Sequence, residues 1–307
     1  MKNGKTILEI DDLTVSFQMY KKGLRKENLE VLHSLSLEVG EGEIVAVAGS
    51  SGSGKSVLAH AVLGLLSGNA KISGQIRFLG EELDCRKRKR YLGRGISFIP
   101  QSVDYLDPLM KAGPQTVGVH STREKQKVMY ERYRLPEKTK EMYPFQLSGG
   151  MARRVLISAA VAEEPKLLIA DEPTPGLSAD IAMDTLKHFR GIADEGAGIL
   201  LITHDIDLAL HVADRIAVFY AGTIVETADA RDFQNGGEGL RHPYSKAFLA
   251  ALPQNGFRPL AGNQPYAGDL PEGCLFAPRC EKATKACFGE IPVREIRGGK
   301  VRCIYAT

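Results

Sequence analysis

The segment Gly49-Ser50-Ser51-Gly52-Ser53-Gly54-Lys55-Ser56 concentrates the residue types that grip a phosphate chain. Glycines at 49, 52 and 54 permit positive φ, so backbone N–H groups can close around phosphate oxygens. Lys55 then offers a positive charge to the β and γ phosphates, and Ser56 a hydroxyl to Mg²⁺. A second group follows the apolar run Leu167-Leu168-Ile169-Ala170, which ends in Asp171 and Glu172. A carboxylate ending a buried strand helps hold Mg²⁺ through water, and its neighbour can polarise an attacking water. His204 comes after Ile199-Leu200-Leu201-Ile202-Thr203. It is a structural histidine, or it reaches a γ-phosphate if the two strands are neighbours. Gln101, after Phe98-Ile99-Pro100, is either a neutral amide ligand to Mg²⁺ or a plain surface residue. The chemistry these types share is hydrolysis of a phosphoanhydride by a positioned water.

A phosphate loop works only between a strand and a helix. Ile44-Val45-Ala46-Val47-Ala48 reads as a buried parallel strand before it, and residues 56–66 as a helix after it. Thr6-Ile7-Leu8-Glu9-Ile10 and Leu35-Ser36-Leu37-Glu38-Val39 alternate as half-buried strands do. Further strands are expected over 74–99, around Arg86-Lys87-Arg88-Lys89-Arg90, and at 166–170 and 198–203, with a helix near 179–195. Residues 115–146 are polar and helix-prone, with a break at Pro136, and 147–162 continue as a second helix. Alternating β and α elements predict an α/β chain built on a mostly parallel sheet. Asn235-Gly236-Gly237-Glu238-Gly239 reads as a loop. Beyond it, Pro, Gly and four of the five cysteines predict a separate C-terminal extension.

A chain of 307 residues buries about three quarters of its unfolded surface. Its 40 basic and 37 acidic residues nearly cancel, which gives no basis for a nucleic-acid partner. No apolar run approaches the ~18–20 residues that span a bilayer. Glu9, Asp11 and Asp12 interrupt any secretory apolar segment, so a cytoplasmic protein is expected, meeting a membrane only through another subunit. The basic run 86–90 is either a solvated face or an edge toward anionic lipid or a membrane partner.

Leu147-Ser148-Gly149-Gly150-Met151 lies between the phosphate loop and the acidic strand. In order and spacing, these motifs resemble the ATPases of ABC transporters over residues 6–235. The resemblance makes 49–56 the P-loop, Gln101 the centre of the Q-loop, 147–151 the signature, 167–172 the Walker B segment and His204 the switch histidine. Phe17 stands where the family places an aromatic on adenine; on its own it reads equally as a core aromatic. A closer resemblance is to the ATP-binding subunits of oligopeptide, dipeptide and nickel importers. It rests on Tyr143-Pro144-Phe145-Gln146 before the signature, Leu106-Asp107-Pro108 after Gln101, His242-Pro243-Tyr244-Ser245, and Gly273-Cys274-Leu275-Phe276-Ala277-Pro278-Arg279-Cys280.

The resemblance implies a P-loop NTPase fold with a mixed, mostly parallel core sheet, an antiparallel β subdomain and a helical subdomain at about 102–160. It implies a cassette over 1–235 and a small cysteine-containing extension over 236–307. ATP and Mg²⁺ are its expected cofactors. Phe17, Gly49, Ser50, Ser51, Gly52, Ser53, Gly54, Lys55, Ser56, Gln101 and Asp171 would hold the nucleotide and its metal in one subunit. Ser148, Gly149 and Gly150 of a second subunit would close on it, and Glu172 and His204 would serve hydrolysis. The implied partners are a second ATPase subunit, identical or homologous, two membrane permeases and an extracytoplasmic solute-binding protein. The expected place is the cytoplasmic face of the membrane and the expected cargo peptide, nickel or a related solute.

Two departures stand out. Ser178 occupies a D-loop position where the family carries aspartate, which predicts weaker or asymmetric contacts across a dimer. The stretch from Gln101 to Ser148 is short for the subfamily. A regulatory subunit with a degenerate site, and a soluble ABC protein outside transport, are the rival readings. Cys274, Cys280, Cys287 and Cys303 lie close together in sequence, which suggests zinc, an iron–sulfur cluster or a cap with free thiols. The family resemblance favours a [4Fe–4S] cluster.

Overall fold

Two long strands, β1 (Thr6–Tyr20) and β2 (Lys26–Gly40), pair antiparallel with three register shifts near Leu13 and Val15 and one near Thr6. The computed structural model describes residues 4–20, 26–117 and 121–306; residues 118–120 of the helix-prone stretch therefore lie outside it. The chain then enters β3 (Ile44–Ala48), the glycine loop and α1 (Lys55–Leu63). Gly64 ends α1 in the left-handed conformation, three residues before the expected stop. β4 (Ala70–Phe78) and β5 (Glu81–Glu82) complete a four-stranded antiparallel sheet in the order β2-β1-β4-β5.

The basic run lies on a short helix, α2 (Cys85–Tyr91), where strands were expected on either side. Asp84 caps it, its side chain accepting from Arg86 N at 2.7 Å and Lys87 N at 2.8 Å. Nor is the run uniformly solvated. Arg88 Nε donates to Val62 O at 3.1 Å, placing a guanidinium on the last turn of α1, where free carbonyls favour a cation.

β6 (Ile96–Ile99) is followed by three helices, α3 (Ala112–Val117), α4 (Arg123–Arg132) and α5 (Gly149–Ala162). Next come β7 (Leu167–Asp171), α6 (Ala179–Asp194), β8 (Gly198–Thr203), α7 (Ile206–Leu210), β9 (Arg215–Tyr220) and β10 (Thr223–Asp229). The tail adds α8 (Pro243–Ala250), β11 (Arg294–Ile296) and β12 (Gly299–Val301). The second sheet has the order β11-β12-β10-β9-β3-β8-β7-β6. Its members from β6 to β9 run parallel, and β10, β12 and β11 are antiparallel additions.

β3, β7 and β8 are buried along their whole length. Alternate residues feed opposite cores. Ile44, Ala46, Leu168, Ala170, Ile199 and Leu201 pack with α5, α6 and the tail. Val45, Val47, Leu167, Ile169, Leu200 and Ile202 pack with α1 and the antiparallel sheet. Two-sided burial is why these strands read as unbroken apolar runs.

The tail is stitched to the sheet by a buried ion pair. Glu226 on β10 and Arg241 are 1 % and 3 % exposed. One Glu226 oxygen accepts from Arg241 N at 2.8 Å, and the other from His242 N at 2.9 Å. Arg241 continues to Ile296 O at 2.6 Å and Arg297 O at 2.7 Å, at the turn between β11 and β12. Arg241 also donates to Asp232 Oδ2 at 2.8 Å, so removing Glu226 leaves the guanidinium paired but strips two buried backbone N–H groups, those of Arg241 and His242, of their acceptor. Glu226→Ala is therefore expected to cost about 1–3 kcal/mol for each unpaired amide, read as a lower urea midpoint; an unchanged midpoint would show the tail to be held otherwise.

Candidate active site

The carboxyl ends of β3, β7 and β8 lie side by side and deliver the chemistry-bearing residues to one edge. The glycine loop follows β3. At Gly49 a Cβ would lie 2.5 Å from Phe219 O on the adjoining strand, so only glycine fits there. Gly54 has φ 104°, a left-handed conformation that turns the loop into α1. Lys55 is buried, and its ammonium donates to Gly49 O at 2.9 Å and Ser50 O at 2.8 Å. Burial lowers its pKa, while Glu172 and Asp171 act in the opposite sense. Lys55 and Ser56 open α1, whose first turn holds no acidic residue, so its positive end is free to face an anion.

Asp171 is 1 % exposed at the end of β7. Burial raises its pKa, and a hydrogen bond with Ser56 opposes the shift. Its Oδ1 is buried with no hydrogen-bond partner. A hydroxyl and a carboxylate oxygen meeting in one place form the hard oxygen donor set that Mg²⁺ takes. A cation there would offset the desolvation of the carboxylate. The residues present thus fit the metal.

Glu172 has φ 48°, a conformation costing a non-glycine residue about 1–3 kcal/mol. Its N–H donates to Ile202 O on β8 at 2.9 Å, which fixes the turn. Its carboxylate meets His204 Nδ1 at 2.6 Å. The Glu172 side chain is 8 % exposed and that of His204 58 %, so the acid is sheltered and the imidazole reaches outward.

Gln101 is exposed, just beyond β6. Sequence reasoning missed what holds it. Arg153 on α5, 7 % exposed, donates to Pro100 O at 2.7 Å and to Gln101 O. It also lies within the field of Asp171 and Glu172. The clue was a pair of arginines, 153 and 154, inside an otherwise small and apolar helix.

Ser148 caps α5, its hydroxyl accepting from Met151 N at 3.3 Å. Ser148 and Gly149 are exposed, so the amino end of this helix opens outward. Gly150 sits against the loop before α6, where an added Cβ would lie 3.0 Å from Gly176 O. Ser178 precedes α6 and its hydroxyl bonds Asp180. Phe17 is half-buried, opposite Leu29 and Ala70 in the antiparallel sheet and packed on its core.

The four tail cysteines gather in one region: Cys274 lies in the field of Cys287 and Cys303, and Cys303 in that of Cys280 and Cys287. They do not meet the expectation of a cluster site. Among the described residues no three His, Cys, Asp or Glu side chains converge as metal ligands. Burial raises the thiol pKa of Cys274 and Cys303, and the neighbouring cysteines act in the same sense.

Residues 32–175 match the ABC transporter family and residues 225–287 the oligopeptide/dipeptide transporter C-terminal region. The dipeptide transport ATP-binding protein DppD of Escherichia coli K12 is 34 % identical over 97 % of this chain and 96 % of its own. The chain belongs to the ABC transporter family of ATP-binding proteins. This ABC protein is also 33 % identical to the oligopeptide transport ATP-binding protein OppD of the same organism, over 99 % of this chain and 94 % of that one. Among solved structures it is similar to a dimeric ATP-binding cassette in a post-hydrolysis state with ADP and Pi. That likeness has a TM-score of 0.64 at 26 % identity and covers 73 % of this chain and 99 % of the other. A structure described as the ATP-binding subunit of an ABC transporter gives 0.63 at 25 %, over 76 % and 95 %.

Arg153 couples the signature helix to the carbonyls of the loop carrying Gln101. Arg153→Ala is expected to cost about 1.5–3 kcal/mol of stability and to slow ATP turnover more than it weakens nucleotide binding. Equal losses in both, in paired turnover and binding assays, would make Arg153 a packing residue only.

Proposed function

We propose that this ABC ATPase energises a peptide importer by clamping ATP between two subunits. The single observation that carries the reading is the assembly of Lys55, Ser56, Asp171, Glu172 and His204 at one sheet edge, with Glu172 on His204 at 2.6 Å. Loop amides and the α1 amino end receive the phosphates, and Lys55 points its charge at the β and γ groups. Ser56 and Asp171 would hold Mg²⁺, which supplies charge neutralisation at the phosphate oxygens when bound. Glu172 takes a proton from the attacking water, and His204 orients that carboxylate. Phe17 offers its ring to adenine.

The exposed amino end of α5 is the second half of the clamp. Ser148 and the amides of Gly149 and Gly150 add anion contacts to ATP bound by the partner subunit. Those contacts exist only in the closed dimer, so loss of phosphate reopens it, and two permease subunits turn the cycle into transport. The P-loop lies in a cassette over 1–235, with a helical subdomain at about 102–160 and the tail from 236. Ser178, engaged with Asp180, gives a D-loop contact that differs from the aspartate form.

The relatives named above serve dipeptide and oligopeptide transport, which favours peptide over nickel as cargo. No helix among the described residues is long and apolar enough to cross a membrane, which agrees with a subunit docked on the cytoplasmic face beneath its permeases. A degenerate regulatory subunit is the weaker reading; the presence of Lys55, Asp171, Glu172 and His204 supports the active one.

Lys55→Ala removes a charged hydrogen-bond donor, and nucleotide affinity should fall about tenfold to a hundredfold; wild-type affinity by titration calorimetry would remove Lys55 from the site. Glu172→Gln should bind ATP yet lose about 10²- to 10⁴-fold in turnover. Wild-type phosphate release by that variant in the assembled complex would take the base assignment away from Glu172.

A further inference from the structure

The C-terminal tail returns to the phosphate loop. Ser50 Oγ donates to Gln264 Oε1 at 3.0 Å, across 214 positions of sequence. Ser50 is a junction within the loop. Its carbonyl accepts from Lys55 Nζ at 2.8 Å and from Ser53 Oγ at 2.7 Å. Whatever steadies Ser50 therefore steadies the lysine that meets the phosphates.

The segment carrying Gln264 is itself anchored. Arg279, beside Cys280, donates from Nε to Ala261 O at 2.9 Å and from a terminal nitrogen to Leu260 O at 3.2 Å. Its other terminal nitrogen donates to the Tyr220 hydroxyl at 3.3 Å. Tyr220 ends β9, the neighbour of β3, and is 1 % exposed among Tyr244 and Phe276. At the other end of the segment, a Cβ on Gly268 would lie 3.5 Å from Leu29 Cδ1. Leu29 is the cross-strand partner of Phe17. Residues 260–268 thus run from an arginine anchor, past the phosphate loop, to the strand pair bearing the aromatic assigned to adenine.

We propose that residues 260–268 are a strap that braces the phosphate loop, with Gln264 as a positioning residue that acts through Ser50 on Lys55. The strap raises affinity for ATP by holding the loop in its receiving shape, which lowers the ordering cost at binding. It gives the tail a means to tune nucleotide binding in the same subunit. By linkage, nucleotide must strengthen strap docking by the factor that the strap strengthens nucleotide binding. The inference rests on the P-loop holding ATP.

The test is titration of the full-length chain with a fluorescent ATP analogue. Gln264→Met keeps the length of the side chain and removes the acceptor. It should weaken binding about three- to tenfold, the worth of one ordinary hydrogen bond. Ser50→Ala, which also removes the hydroxyl's bond with Tyr244, should weaken binding at least as much, and the double variant should lose no more than Ser50→Ala alone, since Gln264 then has no bond left to lose. Hydrogen exchange of wild-type residues 260–268 should slow when the analogue saturates the protein. Unchanged affinity in Gln264→Met, additive losses in the double variant, or exchange indifferent to nucleotide would each overturn the strap. Lys55→Ala, run beside them, separates the two readings. If it binds as wild type, the P-loop assignment fails; if it alone loses binding, the strap fails and the P-loop stands.

Discussion

Everything in this molecule depends on ionisable groups held at the carboxyl edge of a sheet that is sealed on both faces. β3, β7 and β8 are buried throughout, so they are rigid and dry. Their ends are where backbone and side chains can carry charge without breaching the core. Lys55 and Asp171 are each pushed toward neutrality by burial and each drawn back by a neighbour of the right kind. Such a balance leaves the edge receptive to a polyanion and its cation, which satisfy both groups together. The left-handed Glu172 is the strain this arrangement tolerates in order to aim a carboxylate at His204.

The other half of the fold serves that edge at a distance. α5 presents an exposed, serine-capped amino end outward and a buried arginine inward. Arg153 ties this helix to the carbonyls at Pro100 and Gln101, so motion of one loop is felt by the other. On the opposite side the tail is welded into the sheet through Glu226 and Arg241, and from there reaches back to Ser50. The Arg153 and Gln264 contacts join segments 52 and 214 positions apart, and both lie at the carboxyl edge of the sheet.

Legibility in the sequence followed from how local each determinant was. The glycine loop, the acidic strand and the histidine strand are legible because each is a continuous run whose burial and turn chemistry are written in neighbouring residues. α6 and β8 fell where apolar spacing put them. The basic run does not announce its helix, because the decisive residue is the capping Asp84 rather than the charges. The tail looked separate by composition, yet β12 pairs with β10, a register that no local pattern announces. Arg153, Gln264 and Arg279 act through bonds made only when the chain has folded. The four cysteines gave a compositional cue for a metal, but proximity in sequence did not become convergence of ligands.

The most direct measurement of the shared clamp is a structure of the assembled transporter carrying Glu172→Gln and bound to ATP. Ser148 Oγ and the amides at 149 and 150 are expected within hydrogen-bonding distance of the γ-phosphate that the partner subunit's phosphate loop holds. Helix α5 of each subunit turned away from its neighbour's nucleotide, in that hydrolysis-blocked state, would contradict the clamp.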